Sequence, residues 1–509
     1  MARNRKHNPR ERRRKQLTPL ADKPFRRLIN PMAPVEILSP EQLTQIHDAS
    51  MRILEEIGID FLNEEALEIW TAAGGRVDHK NQHVWLDPDL VMELVAKAPA
   101  EFTLHARNPA HSLHVGGNSI NFATVGAAPY YSDLESGRRP GTLKDFRRMV
   151  KLTQQCGPLH IVEGLLVEPQ DVQVGLRHLE KGYALLTLSD KVFTTAAHGQ
   201  DAATEYVQMA AIAFGGLETI RQRPVLASNV NANSPLRFDE HMLGALFVYA
   251  RHGQPTIITP FILAGAMSPV TLAAAISQQN AEALAGIALT QLVNPGSPVI
   301  YGGFTTNVDM QSGSPAFGTP EGAMALISGA QLARHYGLPY RGSGGLNNSK
   351  LPDAQAAYET QMTLWPAVLA HANVIFHSAG WLEAGLVCSL EKFILDVEGL
   401  ATMHHFLSGF EINDETLAIE SIAEVGPGGH HFGTDHTMAR YRTAFYQPII
   451  SDRSNYDAWQ ENGASDAAQR AHRVAQQLLA AYEPPAVDEA VEEELTAYIK
   501  RRKEVRNER

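Results

Sequence analysis

The chain has 509 residues, 44% of them apolar and 20% charged, with a formal net charge of −12. That balance excludes a disordered polyelectrolyte, and no apolar run approaches the ~20 residues that a membrane-spanning helix needs. Cys156 and Cys388 are the only cysteines and form no CxxC or CxC pair, which excludes a disulfide framework, argues against a thiolate zinc site and fits a reducing cytoplasm.

Residues 1–34 read as a basic, solvated and disordered tail. Residues 1 to 27 carry eleven Lys or Arg against Glu11 and Asp22, so the remainder is more acidic than the total suggests. Arg12, Arg13, Arg14 and Lys15 are adjacent with no apolar stretch behind them, unlike a secretory signal. Such a run can meet nucleic acid, an anionic membrane or an acidic partner, but simple solvation is the plainer reading.

Residues 35–117 predict a small α+β segment. Ser39-Pro40-Glu41 with Gln42 is a helix-start signature, and Leu43, Ile46, Met51, Ile53, Leu54 and Ile57 keep helical apolar spacing up to Gly58. Trp85 and Leu86 form a short extended stretch before an Asp87-Pro88 helix start.

From residue 118 to 388 short β-rich runs alternate with longer helical segments, the pattern of βα units. The strand candidates are residues 119–124, 160–166, 191–195, 223–230, 254–260, 297–301, 338–342 and 373–377. Helical stretches are expected around 142–155, 171–187, 200–215, 237–252, 269–293, 319–336 and 353–370. Eight such units match an α/β (β/α)8 TIM barrel, with a doubly wound open sheet as the alternative, since alternation does not establish closure.

Residues 389–509 read as a C-terminal helical extension. Two helices are expected over 390–425, followed by a Gly/His-rich stretch from Val425 to Thr437. A last helix, 486–505, carries acids early and bases late, as the helix macrodipole favours. Its polar character reads as a solvated surface helix, with pairing to another subunit as a second reading.

In a barrel, chemistry belongs at the C-terminal strand ends. Those ends hold Tyr130, Asn229, Tyr301, Phe304, Arg341, His377 and Trp381, together with the glycine-rich run Gly342 to Gly345. The lining is rich in aromatics and amides and poor in carboxylates, which argues against paired-acid hydrolysis and a dinuclear metal site. Aromatic faces suit a quaternary ammonium, which cannot donate a hydrogen bond, and the planar donors of Arg341 suit a carboxylate. Each aromatic also has a plain packing reading, Arg341 an internal ion pair with Glu359 or Glu383, and His377 that of a satisfied core histidine.

Three further patterns carry less. The runs 342–345 and 426–429 lack the GxxxxGK[ST] and GxGxxG phosphate signatures. Histidines 404, 405, 430, 431 and 436 suggest a barrel metalloenzyme, but adjacent histidines rarely chelate one ion and no metal is expected. Asp239-Glu240-His241-Met242-Leu243-Gly244 satisfies the DxHxxG pattern of cobalamin-binding domains without the later SxL and GG, and His241 falls in a helical register.

Pro320-Glu321-Gly322-Ala323, Gly337-Leu338-Pro339-Tyr340-Arg341-Gly342-Ser343-Gly344-Gly345, Ser349-Lys350 with Asp353 to Glu359, and Gly426-Pro427-Gly428-Gly429-His430 with His436 resemble the trimethylamine and quaternary-amine corrinoid methyltransferase family. The resemblance covers roughly residues 35 to 480. It implies a barrel whose mouth docks a small corrinoid-binding protein, with Co(I) cobalamin on that partner as methyl acceptor. Trimethylamine-specific members carry pyrrolysine in the loop after strand seven, near Leu346 here. This chain has only standard residues, and pyrrolysine-free members are similar to a glycine betaine methyltransferase.

The resemblance therefore implies methyl transfer from a quaternary, betaine-like amine, whose nitrogen is already activated as a leaving group. Arg341, His377 and Tyr130 are the candidates for the substrate carboxylate and catalysis. Tyr301, Phe304, Trp381 and Asn229 are the candidates around the ammonium, and Gly344, Gly345 and Leu346 the loop residues facing the corrinoid. A pyrrolysine-free trimethylamine methyltransferase, and a non-catalytic barrel that binds methylammonium compounds or the corrinoid protein, are the alternatives. The enzyme is expected to be a cytoplasmic homo-oligomer that binds neither nucleic acid nor membrane.

Overall fold

A computed structural model describes residues 23–507. The expected basic tail therefore lies, over residues 1–22, outside the described residues. The segment 23–34, assigned to the same solvated tail, instead runs along the protein: Leu28–Ile29 pairs antiparallel with Ser119 and Ile120, and the Arg27 guanidinium donates to the Ser112 carbonyl at 2.9 Å.

Eight strands form the centre of the chain: β1 (Ser119–Phe122), β2 (Ile161–Val162), β3 (Val192–Ala196), β4 (Leu226–Ala232), β5 (Thr256–Ala264), β6 (Val299–Gly302), β7 (Tyr340–Ser343) and β8 (Val374–Phe376). Each expected strand has its counterpart. They pair in parallel from β2 in order through to β8, and β8 pairs with β1. A parallel bridge between Ala123 and Ile161 joins β1 back to β2, so the sheet closes on itself instead of remaining open.

The helices α1 (Leu143–Gln155), α2 (Arg177–Leu188), α3 (Gly199–Phe214), α4 (Glu240–Arg251), α5 (Leu272–Val293), α6 (Pro320–His335), α7 (Ala354–Leu369) and α8 (Leu390–Leu407) follow the strands in turn. Their starts are written in local chemistry. Thr142, Asp239, Thr319, Asp353 and Ser389 each cap a helix by accepting a backbone N–H, which satisfies donors that have no intrahelical partner. α5 is buried almost all round, with polar residues such as Gln278, Asn280 and Glu282 included, because it is covered on its outer side by the N-terminal segment, whose helices Pro40–Arg52 and Pro88–Val95 pack on it.

The other end of the ring is plugged. The hairpin of Phe102–Leu104 and Leu113–Val115 places Leu104, Leu113 and Val115 against Ile161, Val192, Ala227, Ile257, Ile300, Val374 and Phe376 of the barrel interior. Access from the N-terminal strand ends is thereby blocked, which leaves the C-terminal ends as the mouth.

The last helix, Glu489–Asn507, is not simply solvated. Leu495 and Ile499 are buried, and Arg502 and Arg506 both reach the buried carboxylate of Glu205 on α3, which also meets His178. Burial works against ionisation of Glu205, but the hydrogen bonds from His178 and Arg506 win and hold its carboxyl down to about 2. This helix therefore clamps α2 and α3. No helix among the described residues is long and apolar enough to cross a membrane.

Candidate active site

Side chains alternate across a strand, so the residues two positions beyond the apolar floor face the same interior, nearer the mouth. Ile161 and Val192 belong to the floor; Glu163 and Thr194 follow them. Ala227 leads to Asn229 and Ile257 to Thr259, and Arg341 pairs in register with Gly302, two residues beyond Ile300. A polar layer thus sits on an apolar one, inside the closed ring.

Arg341 is 2% exposed, yet forms no ion pair within contact distance among the described residues. Its Nη1 reaches only the Gly303 carbonyl, at 3.4 Å, and its Nε has no partner. The guanidinium lies over the ring of Phe376 at 4.4 Å and that of Phe304 at 5.3 Å. The proposed partners are engaged elsewhere: Glu383 pairs with Arg138, and Glu359 accepts from the Asn348 backbone and from Gln355. Burial lowers the Arg341 pKa to about 10, with Glu163 opposing, so the group stays cationic at neutral pH.

Glu163 was not among the residues expected from sequence. It is 1% exposed, accepts a hydrogen bond from the Thr194 hydroxyl, and donates its backbone N–H to the Thr124 hydroxyl oxygen at 3.0 Å. Burial pushes its carboxyl up to about 7, against the Thr194 hydrogen bond and the charges of Arg341 and Lys181. One sequence signal was available: a lone carboxylate inside the otherwise apolar run 161–166.

Beside this polar layer stands an aromatic wall. The His377 ring centroid lies 4.5 Å from Trp381 and 5.2 Å from Phe304, and Phe317 sits 5.6 Å from Phe304 and 5.4 Å from Trp381. His377 has φ +61°, an uncommon left-handed conformation for a side-chain-bearing residue, of the kind that clusters at functional sites. Its Nδ1 is 3.2 Å from the Ser343 hydroxyl, and burial followed by the Arg341 charge holds its imidazole well below the ordinary pKa, hence neutral. The Trp381 indole is locked by donating to the Asn347 carbonyl at 3.1 Å, while the Asn347 amide donates back at 2.6 Å.

Arg341, His377, Phe304 and Trp381 are thus brought together, and Asn229 faces the same interior with its Oδ1 unpartnered. Tyr301 is not with them. It points outward between barrel and helices, donates to Asn280 of α5 at 3.0 Å and packs against Tyr336 and Tyr340, because it shares the register and face of Tyr340. Tyr130 lies in a strand, Tyr130–Asp133, that pairs with Val387–Ser389 in the small sheet that also holds Trp381–Leu382; its ring is covered by Arg138 at 3.6 Å and packs against Leu382 and Val387, not against Arg341.

The three loop residues expected to face a partner are buried. A Cβ on Gly344 would lie 2.5 Å from Leu364, and Leu346 lines a small cavity with Phe304, Ser343 and Thr363. The loops after β7 and β8 are both held by α8: Lys392 pairs with Asp396 and donates at 2.9 Å to Thr360, which reaches the Gly345 carbonyl, while Asp396 accepts the Gly380 N–H at 2.9 Å.

The DxHxxG match has a structural account. Asp239 caps α4, and Gly244 lets α4 approach α3, since a Cβ there would meet the Gln200 backbone at 3.2 Å. The histidine clusters do not converge: His404 is buried beside His160, whereas His430, His431 and His436 lie on a segment that is largely exposed.

Comparison with known proteins establishes the family. The family model described as trimethylamine methyltransferase (MTTB) matches residues 3–506. A glycine betaine methyltransferase of Desulfitobacterium hafniense (strain Y51) is 44% identical over 92% of this chain and 97% of its own length. Trimethylamine methyltransferase MttB from another strain of D. hafniense (DSM 10664 / DCB-2) is 32% identical over 91% of this chain and 92% of its own length. In fold, the crystal structure of the Methanosarcina barkeri monomethylamine methyltransferase (MtmB) superposes with a TM-score of 0.53 at 10% identity, over 87% of this chain and 89% of that one. The chain is a methyltransferase and belongs to the trimethylamine methyltransferase (MTTB) family.

Proposed function

We propose that this enzyme moves a methyl group from the quaternary nitrogen of a betaine-like substrate to Co(I) of a corrinoid carried by a separate protein, which acts as second substrate. The observation that carries the reading is Arg341, a buried cation with its donors largely unused and an aromatic wall at its side. A zwitterion with a carboxylate next to a quaternary ammonium matches that pairing. The guanidinium takes the carboxylate, and Phe304, Phe317, Trp381 and neutral His377 surround the ammonium without protonating or deprotonating it.

The chemistry asks little more of the protein. The carbon–nitrogen bond breaks with its electron pair staying on nitrogen, so a dimethylated amine leaves and no general acid is required. The chain supplies desolvation and alignment of donor and acceptor. The mouth also supports docking of the acceptor protein, since Val174, Val270, Met310, Leu351 and Leu386, on the loops after β2, β5, β6, β7 and β8, are exposed. Both cysteines are free and buried, which supports a reducing, cytoplasmic setting.

The reading is tested by mixing the enzyme with Co(I) corrinoid protein and glycine betaine, tetramethylammonium or trimethylamine, following methylation by corrinoid absorbance. Turnover with the betaine is expected. Turnover with trimethylamine alone would replace the proposal by a tertiary-amine reading, and betaine binding without methylation by a non-catalytic one.

A further inference from the structure

β7 carries Arg341 and Ser343 two residues apart, so both share the face that lines the ring, and Ser343 stands nearer the mouth. Ser343 pairs in register with Phe376 of β8, which brings its hydroxyl beside the next residue, His377, with Oγ 3.2 Å from Nδ1. Burial keeps the His377 imidazole neutral, so the ring carries a single proton. The nitrogen that holds this proton decides whether Nε2 offers the site a donor or a lone pair.

The Ser343 hydroxyl makes the choice, because it has nowhere else to donate. Ser343 is buried, and among the described residues Nδ1 is the sole hydrogen-bond partner of its Oγ. The small cavity that Ser343 lines with Phe304 and Leu346 is short of acceptors. Gln279 on its wall has an unpartnered Nε2, a donor, while its Oε1 is taken by the Thr305 hydroxyl at 2.7 Å. Tyr340 Oη, on the same wall, also has no partner. With the proton on Nδ1, the imidazole would donate to Oγ and leave the Ser343 O–H as another buried donor without an acceptor. An unmade buried hydrogen bond costs enough to favour the opposite arrangement by about tenfold or more.

We propose that Ser343 is a positioning residue for substrate recognition: its O–H donates to Nδ1, keeps the imidazole proton on Nε2, and makes His377 a second donor, beside Arg341, for the substrate carboxylate. The proposal rests on the betaine reading above and extends it. Arg341 and His377 both stand against Phe304, with the guanidinium carbon 5.3 Å and the imidazole centroid 5.2 Å from its ring. Among the described residues Nε2 has no hydrogen-bond partner, and the Arg341 donors are largely unused. A carboxylate has two oxygens, and a guanidinium with one neutral N–H serves both without burying a second cation. In the opposite tautomer Nε2 would turn a lone pair on the carboxylate and repel it. A single methylene separates carboxylate from ammonium in glycine betaine, so the edge of the imidazole can meet the first while its face stays beside the second.

The tautomer is tested on the full chain without substrate, by nitrogen NMR of protein isotopically labelled in histidine at neutral pH, with the His377 signals identified by their loss in His377→Asn. A protonated Nε2 and a bare Nδ1 are expected in the wild type and in Ser343→Thr, and a proton divided between the two nitrogens in Ser343→Ala. In methylation of Co(I) corrinoid protein, Ser343→Ala is expected to lower the ratio of kcat/KM for glycine betaine to that for tetramethylammonium by about tenfold, chiefly through KM, and Ser343→Thr to restore most of it. A wild-type proton on Nδ1, an unaltered tautomer in Ser343→Ala, or an unchanged substrate ratio in that variant would overturn the inference, while betaine turnover by the wild type keeps the reading beneath it. A wild type that transfers no methyl group from betaine would end both.

Discussion

The loop after β7 and the residue after β8 touch backbone to backbone: a Cβ on Gly345 would fall 2.2 Å from the carbonyl oxygen of His377, and the two residues hold φ of +67° and +61°. Each left-handed conformation props up the other, and His377 carries the aromatic wall. Gly345→Ala adds both a strained φ and a backbone clash, so it is expected to cost about 3 kcal/mol in chemical denaturation and to lower kcat/KM by at least about tenfold through a displaced His377. An unchanged denaturation midpoint would show that the contact relaxes freely.

Arg341→Ala removes the only cation assigned to the substrate carboxylate. For glycine betaine, kcat/KM is expected to fall by about 100-fold or more. For tetramethylammonium, which has no carboxylate, the change is expected to be small. Arg341→Lys should recover little, because a point charge does not reproduce the planar donors or the stacking on Phe376. Equal losses with both substrates would remove the assignment.

Tyr301 is assigned to packing, so Tyr301→Phe is expected to lose about 1 kcal/mol of stability with the Asn280 hydrogen bond and to leave the substrate KM unchanged. A raised KM at normal stability would return Tyr301 to the site.

The contrast between Arg341 and Tyr301 shows what could be read without coordinates. Buried parallel strands are short apolar runs, and the helices between them are capped by Thr, Asp and Ser, so eight units could be counted from residue 119 onward. The face a residue presents depends on register between strands, which local pattern does not contain: Tyr301 points out because it pairs with Tyr340. Phe317 joins the aromatic wall only because the stretch Pro315–Ala316 folds back on Phe304–Val308. Glu163 was hidden by its apolar neighbours, although a carboxylate in such a run is itself a sign of special use. In the last helix, polarity suggested solvation, whereas Arg502 and Arg506 serve a buried acid on another helix.

The pair Lys392–Asp396 ties α8 to both site loops. Asp396→Ala leaves a buried ammonium without its partner and is expected to destabilise the fold by about 3–5 kcal/mol. Lys392→Met with Asp396→Leu should regain much of that stability, since no charge remains buried, while kcat/KM stays low because Thr360 and Gly380 have lost their partners. Recovery of both stability and activity in the double variant would reduce the pair to ordinary packing.

Glu163 predicts how pH enters. Burial raises its carboxyl from 4.5 to about 7, so below pH 4.5 it is neutral in folded and unfolded chains alike and adds no pH dependence. Between 4.5 and 7 the unfolded chain releases a proton that the folded one keeps, and stability falls as pH rises, reaching a full penalty of about 3 kcal/mol above pH 7. Glu163→Gln should remove that difference when unfolding is compared at pH 5 and pH 8. The same ionisation sets a negative charge near Arg341, where it competes with the substrate carboxylate. The KM for a betaine is therefore expected to rise with pH through about 7 in the wild type and to stay flat in Glu163→Gln, whereas the KM for tetramethylammonium should show no rise in either. A wild-type betaine KM that is flat from pH 6 to pH 8 would place the Glu163 charge out of reach of the substrate, whatever its effect on folding.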